Sequence, residues 1–158
     1  MTVSVSVDLG YEFSVKAPPG KVFAVLSDVP ESVSHFPDVR RLVDLGGGVY
    51  RWEMEPVGVG AVQLQTVYAS TYVSNAARRT VVWTPVPDVG NARVSGSWKV
   101  TARRKGGGSD VVLELQGTVE VPVPGLTRAV VAPLVEGHFE RLVDTYVANL
   151  VACFGGEV

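Results

Sequence analysis

The chain has 158 residues, of which 46% are hydrophobic and 19% charged, and this length suffices for one domain with a substantial core. Its 14 basic and 16 acidic residues give a net charge of -2, which offers no electrostatic footprint for nucleic acid. Cys153 has no partner for a disulfide, the N-terminus has no basic segment followed by an apolar run, and no apolar run approaches the ~20 residues of a membrane span. We therefore expect a cytoplasmic protein.

The first 38 residues predict a long strand followed by two short helices. Apolar residues alternate with polar or small ones over residues 3–15, which is typical of a strand with one buried and one solvent-facing side. The proline-led segment 17–28 carries apolar residues at helical spacing and predicts an amphipathic helix that ends near Asp28. Residues 29–35 predict a second helical turn, with Asp28 as its N-cap.

Residues 39–121 predict a series of antiparallel strands joined by turns. Glycine triplets at residues 46–48 and 106–108 connect neighbouring strands, and two prolines make residues 85–91 a loop. The strands are predicted at residues 39–45, 49–56, 61–73, 79–85, 92–104 and 111–121. With the first strand they number seven, and their alternating faces favour an α+β fold with helices on one face of an antiparallel sheet.

The C-terminal part of the chain predicts one long amphipathic helix. From about Leu126 to Phe154, apolar residues recur every three or four positions. Pro133 lies inside this segment, where it removes one backbone hydrogen bond and crowds the preceding turn. A kink or a fresh helix start is therefore expected near Ala132. No internal repeat or separable linker is visible, so residues 1–158 are expected to form a single domain.

The order of these elements is a strand, two short helices, six strands and a final long helix. Its sharpest local feature is the proline-led series Val22, Phe23, Leu26, Asp28, Phe36 and Pro37. Together these features resemble the START-like (SRPBCC) superfamily. The resemblance is to its polyketide cyclase/dehydrase and lipid-transport group, which includes coenzyme-Q-binding proteins and the birch-pollen allergen type, and it covers the whole chain.

This resemblance implies a helix-grip fold. In that fold a seven-stranded antiparallel curved sheet wraps around the long C-terminal helix, with two short helices after strand 1. The implied function is binding or transport of a small hydrophobic ligand, lipid-like, quinone-like or polyketide-like, in a cavity between sheet and helix. The alternatives are a polyketide cyclase or aromatase that uses the same cavity, and a protein-interaction module.

Aromatic residues occupy many sheet positions that are predicted to face inward. Each alone is well explained as core filling, but together they suggest a pocket wall with a few oriented polar groups. The polar end of a ligand is expected near residues 66–72, the most polar inward face. The candidate ligand-binding residues on the sheet are Tyr50, Trp52, Met54, Tyr68, Ser70, Tyr72, Trp83 and Trp98, and Tyr11 is also expected to face inward. This register predicts that Trp52 and Trp98 are buried, because a one-residue slip turns every side chain to the other face.

His138 is the single catalytic candidate. It falls in the apolar stripe of the final helix between Leu134 and Leu142, and Asn149 returns to nearly the same angle. All four are candidate ligand-binding residues. A buried imidazole or amide needs a partner, because leaving it unpaired costs about 1–3 kcal/mol. The two polar residues therefore anchor helix to sheet, contact a ligand or, for His138, transfer a proton.

The sequence lacks the marks of other chemistry. Its two histidines and one cysteine have no zinc-ligand spacing, so no metal is expected, and no phosphate-binding loop or dinucleotide fingerprint indicates a cofactor. Glu53 and Glu55 fall on the outer parity of their strand, and His35 is expected to be a surface or capping residue. The expected partner is a small hydrophobic ligand, while peripheral membrane contact and a homodimer stay open.

Overall fold

The structure, a computed structural model, describes residues 2–59, 62–123 and 127–158. Its strands are β1 (Val3–Val15), β2 (Val39–Gly46), β3 (Val49–Met54), β4 (Val57–Val59), β5 (Val62–Leu64), β6 (Val67–Asn75), β7 (Thr80–Pro85), β8 (Ala92–Ala102) and β9 (Ser109–Val121). Its helices are α1 (Pro19–Ser27), α2 (Val29–Val33) and α3 (Arg128–Cys153). Both short helices have a proline in the first turn, where a backbone N–H has no helical partner to lose. Asp28 caps α2 as predicted, by accepting a hydrogen bond from the Glu31 amide at 3.3 Å.

Seven strands form the main sheet, in the order β1-β9-β8-β7-β6-β3-β2. All neighbours are antiparallel, and the longest pairing joins β1 to β9 from Val3 opposite Val121 to Val15 opposite Ser109. Two hydrophobic clusters join the inward side chains of the sheet to the buried side of α3. The predicted α+β helix-grip fold is confirmed, with two short helices after β1 and the long helix at the C-terminus.

The prediction of one continuous strand at residues 61–73 is wrong, because the structure has two strands there, β5 and β6. Within the described residues, β5 pairs with β4 as a separate two-stranded ribbon and β6 belongs to the main sheet. The Asn91 side chain explains the division: its Nδ2 donates to the Gln65 carbonyl at 2.9 Å, and its Oδ1 accepts from the Val67 amide at 2.8 Å. The Asn91 side-chain amide thus supplies, at the break between β5 and β6, hydrogen bonds that a neighbouring strand would otherwise supply.

Helix α3 runs through Pro133 from Arg128 to Cys153. Of the two alternatives predicted near Ala132, the fresh helix start is therefore wrong, and the kink stays a prediction. The proline lies in the second turn of the helix. The carbonyl that loses its helical donor belongs to Ala129, four residues earlier, and Ala129 is exposed. Water can bond that carbonyl, which lowers the cost of the proline at this place. The predicted start at Leu126 lies outside the described residues.

Gly96 on β8 leaves room for the indole of Trp83, the residue opposite it on β7. A Cβ atom at Gly96 would lie 2.4 Å from the Glu114 carbonyl oxygen and 2.6 Å from Trp83 Cζ2. We expect Gly96→Ala to lower the free energy of unfolding by about 1–3 kcal/mol, because strand and indole must shift. Urea denaturation measures this. Gly10→Ala is the matched control, since a Cβ at Gly10 on β1 meets nothing within 4 Å; equal losses in both variants would contradict the prediction.

Candidate functional site

A cavity of about 90 Å³ lies between the main sheet, the two short helices and α3. We call it the inner cavity. Its wall is almost wholly apolar and aromatic, with side chains from α1, α2, α3 and six strands of the main sheet. Deep burial of the wall follows from the alternation of the strands, because every second side chain points toward α3.

Six of the eight sheet candidates line the inner cavity. They are Trp52, Met54, Tyr68, Tyr72, Trp83 and Trp98. Trp52 is 5% exposed and Trp98 is 3% exposed, so the predicted register of these strands is confirmed. Whether these residues contact a ligand stays a prediction.

Three residues that were predicted to face inward stand apart from the cavity. Ser70 is fully buried, but its hydroxyl donates to the Val94 carbonyl at 2.9 Å and holds β6 to β8. Tyr50 packs edge-on against Tyr72, with ring centroids 5.8 Å apart. Tyr11 is half-buried, and its hydroxyl donates to the Asp144 carboxylate on α3.

The four candidates on α3 do not share one buried face, although Leu142 is buried as predicted. Leu134 is 44% exposed and Asn149 is exposed, so the prediction that these two face inward is wrong. The buried stripe is centred toward Tyr146, and Leu134 lies 12 residues or about 120° from it. Asn149 Nδ2 donates to the His35 carbonyl at 2.9 Å and ties α3 to the chain after α2. His138 and Leu142 line a second pocket.

That second pocket, which we call the outer groove, has a volume of about 140 Å³. It lies between α3 and the segments around β3, β4 and β6. Its lining consists of Asp38, Met54, Glu55, Pro56, Val57, Thr66, His138, Phe139 and Leu142. Unlike the lining of the inner cavity, it includes carboxylates and an imidazole.

Sequence reasoning missed Ser32 and Tyr146 as cavity residues. Their side-chain oxygens are hydrogen-bonded to each other, which joins α2 to α3 across 114 positions of the chain. The Phe36 ring packs between Trp52 and Tyr146, with ring centroids 5.3 Å from the first and 4.9 Å from the second. Tyr146 belongs to the predicted apolar stripe of the final helix. As a tyrosine on that stripe, it could have been predicted to place a hydroxyl in the cavity.

The polar groups of the cavity wall are hydroxyls and indole N–H groups. Trp52 Nε1 donates to the Tyr72 hydroxyl at 3.0 Å, and Ser32 is bonded to Tyr146. Tyr68 and Thr66 add two further hydroxyls to the lining. The described lining contains no charged side chain. A bound molecule is therefore offered donors and acceptors but no countercharge.

Burial keeps the phenols of the cavity protonated. It raises the pKa of Tyr68 well above its usual value, and nearby Tyr72 and Tyr146 act in the same direction. Burial also raises the pKa of Tyr146 to about 12, although its side-chain hydrogen bonds with Ser32 and Trp98 oppose this rise. The pKa of Tyr72 is raised for the same principal reason. These hydroxyls are neutral hydrogen-bonding groups at physiological pH.

His138 is a neutral imidazole at the edge of the outer groove. Partial burial lowers its pKa from the usual 6.5, and the Arg141 charge lowers it further, while Asp38 acts against them. Because the folded-state pKa is below the unfolded value, protonation of this group on acidification disfavours the folded state. His138, the catalytic candidate, lines the outer groove and does not line the inner cavity.

The described residues show neither a metal-binding cluster nor a membrane-spanning helix. No group of three or more His, Cys, Asp or Glu side chains there is placed to hold a metal ion. Among the helices described, none is both long and apolar enough to span a membrane.

The comparison with known families decides where this chain belongs. The family described as polyketide cyclase/dehydrase and lipid transport matches residues 2–153. The chain belongs to this family. The resemblance seen in the sequence is thereby confirmed. No curated protein matches the chain.

Several solved structures share the fold of this polyketide cyclase/dehydrase and lipid transport family member. The Zhui aromatase/cyclase from Streptomyces sp. R1128 has a TM-score of 0.67 at 17% identity, over 93% of this chain and 92% of that one. A protein from Thermus thermophilus has a TM-score of 0.61 at 22% identity, with 94% and 98% covered. A START superfamily protein from Mycobacterium smegmatis has a TM-score of 0.61 at 15% identity, with 95% and 97% covered. At these identities the likeness establishes the fold.

Proposed function

We propose that this protein binds a small, uncharged, ring-containing hydrophobic molecule in the inner cavity. The observation that carries the proposal is a wall of apolar and aromatic side chains with the Tyr68 hydroxyl among them. The hydroxyl can donate a hydrogen bond to an acceptor on a ligand, while the rest of the wall buries the apolar surface of that ligand. Lipid-like, quinone-like and polyketide-like molecules all combine apolar surface with carbonyl or hydroxyl oxygens.

The lining also favours a ring over a flexible chain. Trp52 and Tyr68 are stacked with centroids 5.4 Å apart, and Tyr72 is stacked on Trp83 at 5.6 Å. Flat side chains of this kind offer both faces and edges to another ring. The cavity of about 90 Å³ is smaller than the ~300–1,000 Å³ of pockets for drug-sized ligands, so it accommodates a ring-sized group without movement of its walls.

A cyclase-like or aromatase-like reaction in the same cavity is the second candidate. Family membership and the hydrogen-bonded Ser32–Tyr146 pair favour it, because an oriented phenol can hydrogen-bond a reacting carbonyl. General acid-base catalysis is most efficient with a pKa near the working pH. The phenols have raised pKa values and His138 does not line the inner cavity, so we favour binding. A cyclised product formed from a linear poly-β-ketone by the purified protein would reverse this preference.

The Tyr68 hydroxyl can be tested with two probes of nearly the same shape. Acetophenone carries a carbonyl acceptor and ethylbenzene does not. We expect Tyr68→Phe to weaken acetophenone binding about five-fold, as for loss of one hydrogen bond of ~1 kcal/mol, and to leave ethylbenzene binding unchanged. The indole N–H signals of the three tryptophans, followed by NMR titration, measure both affinities.

Ethylbenzene is the control for damage to the cavity, since it probes shape alone. Equal weakening of both probes would mean that Tyr68→Phe acts by disturbing the wall and not by removing a hydrogen bond. If neither probe shifts any indole signal of the unaltered protein, the proposed function is wrong. Native mass spectrometry of the purified protein would add the mass of any molecule that remains bound.

A further inference from the structure

The inner cavity and the outer groove share part of their walls. Met54, Thr66 and Phe139 line both. These three side chains therefore form a common wall between the inner cavity and the outer groove. The Phe139 ring and the Met54 thioether are the larger of the three, and a methionine side chain adapts easily to a new neighbour.

Thr66 marks the boundary with a polar group. It is 4% exposed and lines both pockets. Its hydroxyl can donate one hydrogen bond and accept others. A polar atom of a bound molecule at the boundary of the two pockets would therefore find a hydrogen-bonding group there.

The outer groove differs from the inner cavity in charge. Asp38 and Glu55 line it, and His138 beside them is neutral near pH 7. Arg141 lies close enough to lower the pKa of His138, but it does not belong to the groove lining. The groove lining therefore carries negative charge. It repels an anionic group and accepts hydrogen bonds from a neutral one.

We propose that the inner cavity and the outer groove form one two-part ligand site, with a ring in the inner cavity and a neutral hydrogen-bond-donating end, a hydroxyl or an amide, in the outer groove. Thr66 bonds the molecule where it passes between them. The site excludes ligands whose far end is a carboxylate or a phosphate. This inference rests on the proposed function and narrows its ligand class to neutral molecules.

The test uses three probes of known structure. Toluene is short enough to end within the inner cavity, whereas 4-phenylbutan-1-ol and 4-phenylbutanoate are long enough to extend beyond it. The two longer probes have the same number of carbon atoms and end in a neutral hydroxyl and an anionic carboxylate respectively. We expect the alcohol to bind about ten-fold more tightly than the acid, because both groove carboxylates oppose the charge of the acid. Titrations follow the tryptophan indole signals for the inner cavity and the His138 ring signals for the outer groove.

The variant that tests the charges is Asp38→Asn with Glu55→Gln. Asp38 has a φ of +59°, a conformation that asparagine also tolerates, so the backbone is preserved. We expect the preference for the alcohol to fall to about three-fold or less, because the repulsion of the acid is removed. Asp8→Asn with Glu114→Gln makes the same change in net charge at exposed positions on β1 and β9, and should leave the ten-fold preference intact.

The outcomes separate the two proposals. If toluene and both longer probes leave the indole signals unmoved, the proposed function fails, and this inference with it. If toluene shifts those signals but the unaltered protein binds alcohol and acid equally, the inner cavity binds and the two-part site is wrong. An equal loss of preference in both double variants would assign the effect to net charge and also overturn the two-part site.

Discussion

Val119→Phe is expected to abolish ligand binding while the protein stays folded. Val119 is buried on β9 and lines the inner cavity, and a phenyl ring in place of its two methyl groups would project into the space. We expect acetophenone affinity to fall at least about 30-fold, equivalent to ~2 kcal/mol, because the volume that the ring of the probe needs is taken. NMR titration of the tryptophan indole signals measures the loss.

The stability of this variant distinguishes a filled cavity from a damaged core. Overpacking usually costs about 1–3 kcal/mol, but a ring that enters existing empty space gains contacts that offset part of the cost. Val73→Phe is the matched control, since Val73 is 64% exposed on β6 and does not line the inner cavity. Undiminished acetophenone binding by Val119→Phe would show that the probe binds elsewhere.

The pattern of the strands was sufficient to predict the register of the cavity wall. Alternation with a period of two depends only on which residues are apolar, and it places Trp52, Trp83 and Trp98 on the inner side. The break between β5 and β6 could not be predicted in this way. It depends on the Asn91 side chain, which reaches Gln65 and Val67 from a distant loop. A hydrogen bond between remote residues leaves no periodic trace in a sequence.

The candidate site on α3 was harder to predict for a geometrical reason. A helical stripe locates its buried centre only to within a few tens of degrees, and His138 lies about 40° from Leu142 at the edge of that stripe. A small rotation therefore moves His138 from the inner cavity to the outer groove. The Ser32–Tyr146 bond was also beyond prediction, because it depends on how the short helix α2 packs against α3.

Trp52→Ala is expected to have the largest effect on stability of the variants considered. The Trp52 indole is stacked on Tyr68, meets the edge of Phe36 and donates to the Tyr72 hydroxyl at 3.0 Å. Truncation of a buried tryptophan removes these contacts and leaves a void, so we expect a loss of about 3–5 kcal/mol in the free energy of unfolding. Urea denaturation with tryptophan fluorescence from the two remaining indoles measures it.

The void left by Trp52→Ala should in turn bind the group that was removed. Free indole can stack on Tyr68 and donate its N–H to Tyr72, as the lost side chain did. At one hundred times its Kd, indole should restore ~2.7 kcal/mol to the variant. The unaltered protein is the control, and its cavity of about 90 Å³ is too small for a two-ring molecule without rearrangement. Equal stabilisation of both proteins by indole would mean that the inner cavity widens readily, and that its present volume does not limit ligand size.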